Sequence, residues 1–271
     1  MTTLGWEKLL AEKFESQVGQ KSTLVASWLH TAISGVDQKG DSYFRRAQFL
    51  FKNVETSRIL DAGCGDGSIA LRFAIAGADV VGLDKDCEFV NIARIRAREM
   101  YSKTPILFLC ADLCRSNEFI GNNFDLIISV DVMEHVEDAT KYLKNLKEVL
   151  SNGGKIWLFT PNRFGLKNII NDPHYHLRFL TLIPNKWAEY YAINIKRVTT
   201  KYEVEQLFTF RLLNKIADEC GYKIDFQTKK DFDQSLKNKR WFSFFARISL
   251  IRRIMYFFYK YRVTTIEAIL S

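Results

Sequence analysis

The sequence predicts an α/β fold: a mostly parallel sheet with helices on both faces. Three observations predict it. Short apolar runs alternate with helix-length amphipathic stretches between residues 58 and 161. Three of the runs lead into a carboxylate, at Asp61, Asp84 and Asp112. A glycine turn, Gly63-Cys64-Gly65-Asp66-Gly67, separates the first run from the first helix of the alternation. Strand–helix repeats of this kind fold as parallel sheets, because each crossover lays its helix over one sheet face.

The elements follow in order. Residues 1–53 read as helical: Trp6, Leu9, Leu10, Phe14 and Val18 recur at helical spacing, a second helix is expected from Leu24 to Ile33, and a third from Tyr43 to Lys52 after the break at 35–41. Strands are expected at 58–61, 79–84, 106–111, 124–129 and 155–160, with helices at 67–77, 86–101 and 138–151 between them. Gly153-Gly154 reads as the turn into the fifth strand. After Pro161 the alternation stops, and 162–202 reads as an aromatic-rich insertion over the carboxyl edge of the sheet. A helix at about 203–220 with Gly221 as its C-cap, a sixth strand at 222–227, a basic aromatic helix at 240–261 and a final strand at 263–270 complete the chain. This divides the protein into a helical cap (1–53), an α/β core (54–161), a lid (162–202) and the C-terminal part of the core (203–271).

A chain of 271 residues that is 47% apolar fills one large domain, or one domain with a cap. The formal charge of +8, concentrated after residue 196, suits an anionic partner: a membrane surface, a nucleic acid or a phosphorylated substrate. Cysteines at 64, 87, 110, 114 and 220 form no C-x-x-C and no zinc pattern, so reduced structural thiols are expected. Cys64 serves the turn as a small side chain. The N-terminus carries early acids and no apolar h-region, which makes the cytoplasm the default compartment.

The glycine turn distinguishes between nucleotides. A dinucleotide fingerprint places its third glycine three positions after the second; here the interval is two, and Ser68 stands where the dinucleotide residue would be. This spacing opposes a nicotinamide oxidoreductase. Asp61 before the turn and Asp66 within it suit a cation better than a pyrophosphate, and S-adenosylmethionine carries a sulfonium and an ammonium. Asp84, about twenty residues on, is placed to bind ribose hydroxyls.

At this point the order of parts resembles the class I S-adenosylmethionine-dependent methyltransferases. The residues carrying the resemblance are Leu60 to Gly67, Gly82-Leu83-Asp84, Ala111-Asp112-Leu113, Phe124 to Ser129, Glu134-His135-Val136 and Gly153-Gly154. The resemblance implies a Rossmann-like sheet of seven strands, the last inserted antiparallel beside the fifth. It also implies that Asp61 and the 63–67 backbone (Gly63, Cys64, Gly65, Asp66, Gly67) line the methionine end of the cofactor. Asp84, with Lys85 beside it, should take the ribose. Asp112 and Leu113 should meet the adenine, and Val130 and Asp131 should lie beside the sulfonium.

The stretch Asp131 to His135 also resembles the ubiquinone-pathway O-methyltransferases, which carry an acid three residues before a Glu-His pair and can hold a divalent metal there. In this chain the first acid is an aspartate, and no metal is expected. His135 is the candidate general base, with Glu134 beside it. The plainer alternative is that both hydrogen-bond loop backbone and shape the pocket. Asn162, Arg163, His174 and His176 are candidate substrate contacts, and each has a structural alternative: the turn closing the fifth strand for the first two, a proline-led lid turn for the histidines. The stretch 237–262 interleaves aromatics with arginines; it either packs as a helix or lies on an anionic membrane.

The expected function is methyl transfer from S-adenosylmethionine to an O or N atom of a small or lipid-linked acceptor in the cytoplasm, with peripheral membrane contact through 237–262. The alternatives are a catalytically silent binding protein on the same fold and a nucleic-acid methyltransferase. Against the latter, the chain lacks an Asn/Asp-Pro-Pro-aromatic tetrad after the fourth strand, and no nucleic-acid partner is expected.

Overall fold

The computed structural model describes residues 4–18, 26, 29, 30, 32–115, 121–237 and 249–271. Its centre is a seven-stranded sheet of order β3-β2-β1-β4-β5-β7-β6. The strands are β1 (Arg58–Ala62), β2 (Asp79–Asp84), β3 (Leu107–Cys110), β4 (Phe124–Val130), β5 (Leu150–Pro161), β6 (Ile224–Phe226) and β7 (Thr265–Leu270). The first five pair in parallel, and β7 runs antiparallel between β5 and β6.

Period-two alternation sends successive side chains to two separate cores. Leu60, Ile127, Ile156, Leu158 and Ile266 face one layer, formed by α5 (Ala139–Val149) and α8 (Phe210–Glu219). Ile59, Leu126, Ile128 and Trp157 face the other, formed by α2 (Asp41–Leu50), α3 (Ser68–Ile75) and α4 (Cys87–Met100). Both faces are covered, which is why the central strands read as continuous apolar runs.

The N-terminal segment docks on this second layer. α1 (Gly5–Val18) packs along α4, burying Trp6, Leu10 and Ile92 together. The Arg96 guanidinium, itself buried, stacks 4.2 Å from the Trp6 ring and pairs with Asp66 at 2.7 Å. The described positions 26, 29, 30, 32 and 33 are helical, within the second helix expected from sequence. Arg46 of α2 grips Glu267 of β7 through two hydrogen bonds and reaches Asp231 as well.

Several expectations are corrected. Gly153-Gly154 does not form a turn between elements: both lie inside β5, which begins at Leu150. Phe124 and Leu126 are two positions apart, yet their partners Leu150 and Lys155 are five apart, so the extra residues bulge out of register, with Gly153 at φ +83°. The helix expected from 203 begins at Phe210, because Thr209 caps it by accepting the Leu212 N–H. The preceding residues are tied elsewhere, Glu205 and Gln206 both donating to the Glu134 carbonyl. Gly221 does end that helix, at φ +72°, with Gly221 N–H on Asp218 and Tyr222 N–H on Ala217. α9 (Gln227–Lys237), mostly polar, was not expected; it follows β6 directly. The basic aromatic helix appears as α10 (Ser249–Arg262), and the residues expected at its start, 240–248 with Trp241 and Phe244, lie outside the described residues.

The cysteine expectation is also corrected: Cys87 and Cys110 form a disulfide. Cys110 pairs in register with Asp84, and Cys87 follows Asp84 by three residues in the first turn of α4, so the fold sets their Cα atoms 5.1 Å apart. No local motif marks a pair 23 residues apart. Cys64, Cys114 and Cys220 are free.

Candidate active site

The strand order reverses between β1 and β4, and crevices at such switch points form beyond the carboxyl ends of the strands. A cavity of about 330 Å³ lies there. Its floor is the turn after β1. Gly63 and Cys64 both donate N–H bonds to the Leu83 carbonyl, at 2.7 and 2.9 Å. Gly63 sits at φ +87°, and a Cβ there would meet Val132 at 2.2 Å; Gly65 sits at φ +51° with nothing within 4 Å of where its Cβ would be. The first glycine permits the close approach of the β4 loop, and the second leaves space for a ligand.

Asp84 holds this floor together. Its two carboxylate oxygens accept the Gly65 and Asp86 N–H groups, each at 2.9 Å. Burial raises its pKa, and those two N–H bonds oppose the rise. Asp112 anchors the next wall by accepting the Cys114 N–H at 2.8 Å, with Leu113 beside it in the lining. Lys85 spans the mouth, its Nζ 3.0 Å from the His135 carbonyl oxygen. Asp131 enters from the end of β4 with φ +56°, a left-handed conformation that aspartate tolerates better than most residues. Its carboxyl opens into the cavity but is walled by protein; burial first, then the charge of Glu134, raises its pKa.

The remaining expected cofactor contacts lie behind this lining. Asp61 is buried, accepts the Ala70 N–H at 3.0 Å, and is pushed up to about 7 by burial. Asp66 faces inward to the Ser68 hydroxyl and Arg96. Gly67 is the left-handed N-cap of α3, packed against Phe108. Val130 is a core residue, and the Cys64 thiol is buried and pushed well up by burial, which excludes a thiolate nucleophile.

His135 and Glu134 follow in a short 3-10 turn (Met133–His135). His135 Nδ1 lies 2.7 Å from the Glu203 carbonyl oxygen. A carbonyl only accepts, so Nδ1 carries the proton and Nε2 is the proton-accepting nitrogen of the neutral ring. Glu134 is completely buried; Oε2 accepts from the Thr160 hydroxyl at 3.0 Å, and Oε1 has no hydrogen-bond partner. His174 stands against both, with Nε2 3.8 Å from Glu134 Oε1, Nδ1 3.8 Å from Asp172 Oδ2, and its ring edge-on to His135 at 5.1 Å. Burial alone would lower the His174 pKa; the nearby carboxylates of Asp172 and Glu134 outweigh it and raise the imidazole to about 9.

Glu134, His135 and His174 each bring one donor atom within 4.8 Å of the others, and the Glu134 oxygen without a partner makes the set one that a divalent cation could bridge. The same three residues line a second cavity of about 320 Å³, separated from the first by a wall that Asp131 and His135 share.

Of the expected substrate contacts, His174 reaches this second cavity. Asn162 is buried and clasps the Lys260 and Val263 carbonyls, closing β5 onto the entry to β7. Arg163 donates to the Thr181 carbonyl, and His176 is exposed beside Asn171. Sequence reasoning missed the far wall of the first cavity, residues Lys201, Tyr202, Glu203 and Glu205, which no motif announces.

The charge of the first cavity tests the cofactor. Asp84, Asp86, Asp112, Asp131, Glu203 and Glu205 face it, against Lys85 and Lys201. A pyrophosphate would be repelled here, whereas a sulfonium-bearing nucleoside fits.

Comparison with known proteins agrees. Residues 60–158 match the model of a methyltransferase domain. The chain is 34% identical over 122 residues to the ubiquinone biosynthesis O-methyltransferase of Chelativorans sp., covering 45% of this chain and 47% of that protein. It is 32% identical over 121 residues to the enzyme of the same name from Aliivibrio fischeri, covering 44% and 51%. The chain thus spans about half the length of these curated relatives. Among solved structures, magnesium protoporphyrin IX methyltransferase from Synechocystis PCC 6803, with bound SAH, superposes with a TM-score of 0.55 at 17% identity over 96% of this chain and 92% of that one. An S-adenosylmethionine-dependent methyltransferase from Mesorhizobium loti gives 0.53 at 18% identity over 83% and 95%. Residues 60–158 are thus a methyltransferase domain, carried on the class I S-adenosylmethionine-dependent methyltransferase fold, with the antiparallel seventh strand between the fifth and sixth.

Proposed function

We propose that the protein transfers a methyl group from S-adenosylmethionine to an oxygen atom of a small or lipid-linked acceptor, with His135 as the base. The observation that carries this reading is the Nδ1 contact with the Glu203 carbonyl, because it fixes the tautomer at the wall shared by the two cavities. When bound, the cofactor supplies a methyl group on a positive sulfur, which a lone pair displaces in line. Asp84 would hold the ribose hydroxyls, Asp112 and Leu113 the adenine, and Asp131 the cationic end. The residues of the second cavity would seat the acceptor, and His135 Nε2 would take its proton. Residues 162–202 would act as the lid.

Surface chemistry supports a lipid-linked acceptor. Phe179, Leu182 and Trp187 of the insertion are exposed, and so are Leu250, Phe257 and Phe258 of α10, which also carries Arg252 and Arg253. Apolar side chains beside basic ones suit the surface of an anionic membrane. No described helix is long and apolar enough to cross a bilayer.

The test is His135→Ala. Loss of a positioned base lowers turnover by about 10²–10⁴-fold, while calorimetric affinity for S-adenosylmethionine stays near that of the unaltered protein. Undiminished methyl transfer would refute the base assignment. Tight cofactor binding without transfer to any acceptor would instead favour the silent binding protein.

A further inference from the structure

We infer that the second cavity is built for a sugar ring, and that the accepted methyl group goes to a sugar hydroxyl rather than to a phenol or an amine. The inference rests on the methyltransferase reading above and names the acceptor class of that site.

The first ground is the wall. Glu134, His135, His174, Asn168, Thr264 and Thr265 supply carboxylate, imidazole, amide and hydroxyl groups. The apolar part of the lining is two pyrrolidine rings, Pro161 and Pro173. Among the described residues no phenyl, phenol, indole or long aliphatic side chain lines it, whereas sites for flat aromatic ligands are predominantly apolar. A pyranose needs both features present here: partners for hydroxyls around its rim and small apolar surfaces for its C–H faces.

The second ground is independent of wall composition. Two polar atoms in this lining are buried without hydrogen-bond partners, Glu134 Oε1 and His174 Nδ1. Glu134 is completely buried, and its nearest cationic neighbour, at 3.8 Å, is beyond hydrogen-bond reach. Native proteins rarely leave such atoms unsatisfied, and a bound hydroxyl satisfies a carboxylate oxygen directly. Glu134, His135 and His174 offer atoms within 4.8 Å of one another, a spacing that lets hydroxyls on neighbouring ring carbons be held by different side chains. One hydroxyl donates to Glu134 Oε1. Its neighbour is the nucleophile: its oxygen lone pair forms the new O–CH₃ bond, the S–CH₃ bond breaks with its electron pair staying on sulfur, and the hydroxyl proton passes to His135 Nε2.

The experiment incubates the full chain with methyl-labelled S-adenosylmethionine and two panels. One contains methyl glycosides of hexoses, deoxyhexoses and uronic acids; the other contains catechol, simple phenols and primary amines. Products are located by mass spectrometry. The expected result is label on a glycoside, with Glu134→Gln and Thr265→Val each raising the KM for that glycoside at least tenfold while the dissociation constant for the cofactor is unchanged. Thr265→Val is near-isosteric and tests the wall should the buried Glu134 variant fail to fold. A phenol or amine methylated with higher kcat/KM than every glycoside overturns the inference, as does a glycoside KM that neither folded variant moves, or no methylation of any glycoside by protein that binds the cofactor. Absence of cofactor binding overturns the methyltransferase reading itself, and this inference with it.

Discussion

Replacing His174 by glutamine removes one charge from between two carboxylates and leaves the surrounding turn in place. The turn survives because Asp172 Oδ1 accepts the backbone N–H groups of residues 174 and 175, not the imidazole. What disappears is the imidazolium, 3.8 Å from both Glu134 and Asp172 and only 17% exposed. Its pKa stands at about 9 in the folded protein against an ordinary value of 6.5. Folding therefore favours the protonated ring. The stabilisation is complete below pH 6.5 and is lost as pH rises through 9. A difference of that size corresponds to about 3 kcal/mol. At pH 6 the glutamine variant should be less stable by roughly this amount, which in a chain of this length lowers the melting temperature by about 5–10 °C. The assay is urea or thermal unfolding of both proteins followed by circular dichroism from pH 6 to pH 10. Comparing the two cancels other titrations, such as that of Asp61. The gap should shrink steadily above pH 7 and nearly close by pH 10. A gap that does not change with pH, or one under about 0.5 kcal/mol at pH 6, would falsify the ion-pair account.

Three further outcomes are expected. Asp84→Ala should weaken cofactor binding at least tenfold by calorimetry, because the ribose loses a charged partner and the Gly65 and Asp86 N–H groups lose theirs; unchanged affinity would remove Asp84 from the site. Gly63→Ala should abolish measurable cofactor binding and lower the melting temperature, since the methyl would lie 2.2 Å from Val132 at φ +87°; a variant with normal affinity would show that the β4 loop yields easily. Dialysis against EDTA should leave methyl transfer unchanged if protonated His174 is the resident counter-charge of Glu134; loss of activity restored by a magnesium salt would show that a cation bridges Glu134, His135 and His174 instead.

Where the sequence was legible, the signal was local. The run Arg58 to Gly67 showed strand, turn and helix start together, and the acids at 84 and 112 marked strand ends because a carboxylate after an apolar run has few other places to go. The alternation of Ile59 with Leu60, and of Leu126 with Ile127, implied two covered faces, and each face has its own core. Local patterns did not say which turn residues face a ligand. Gly65 borders the cavity while Asp66, next to it, points inward because Arg96 waits there from a helix thirty residues on. Contacts made across the fold were not legible either. His135 finds its carbonyl partner 68 residues later, in a stretch without periodicity. The insertion packs Tyr175, Leu180 and Ala188 against Val204 and Leu207 just beyond it, a cluster whose spacing matches neither helix nor strand. The bulge at Gly153 was hidden for a related reason: glycine marks an unusual backbone angle, and only strand pairing reveals whether the chain turns back or continues.

The bond between Cys87 and Cys110 makes the Asp84 side of the crevice sensitive to the reducing power of its surroundings. It staples the rim of β3 to the start of α4, on either side of the loop that carries Asp84 and Asp86. Closing a chain segment of 23 residues restricts the unfolded ensemble by roughly 3 kcal/mol in the chain-entropy view. Protein handled with dithiothreitol and protein handled without it are therefore two different preparations, and their melting points and nucleoside affinities should be compared before either is taken as the reference.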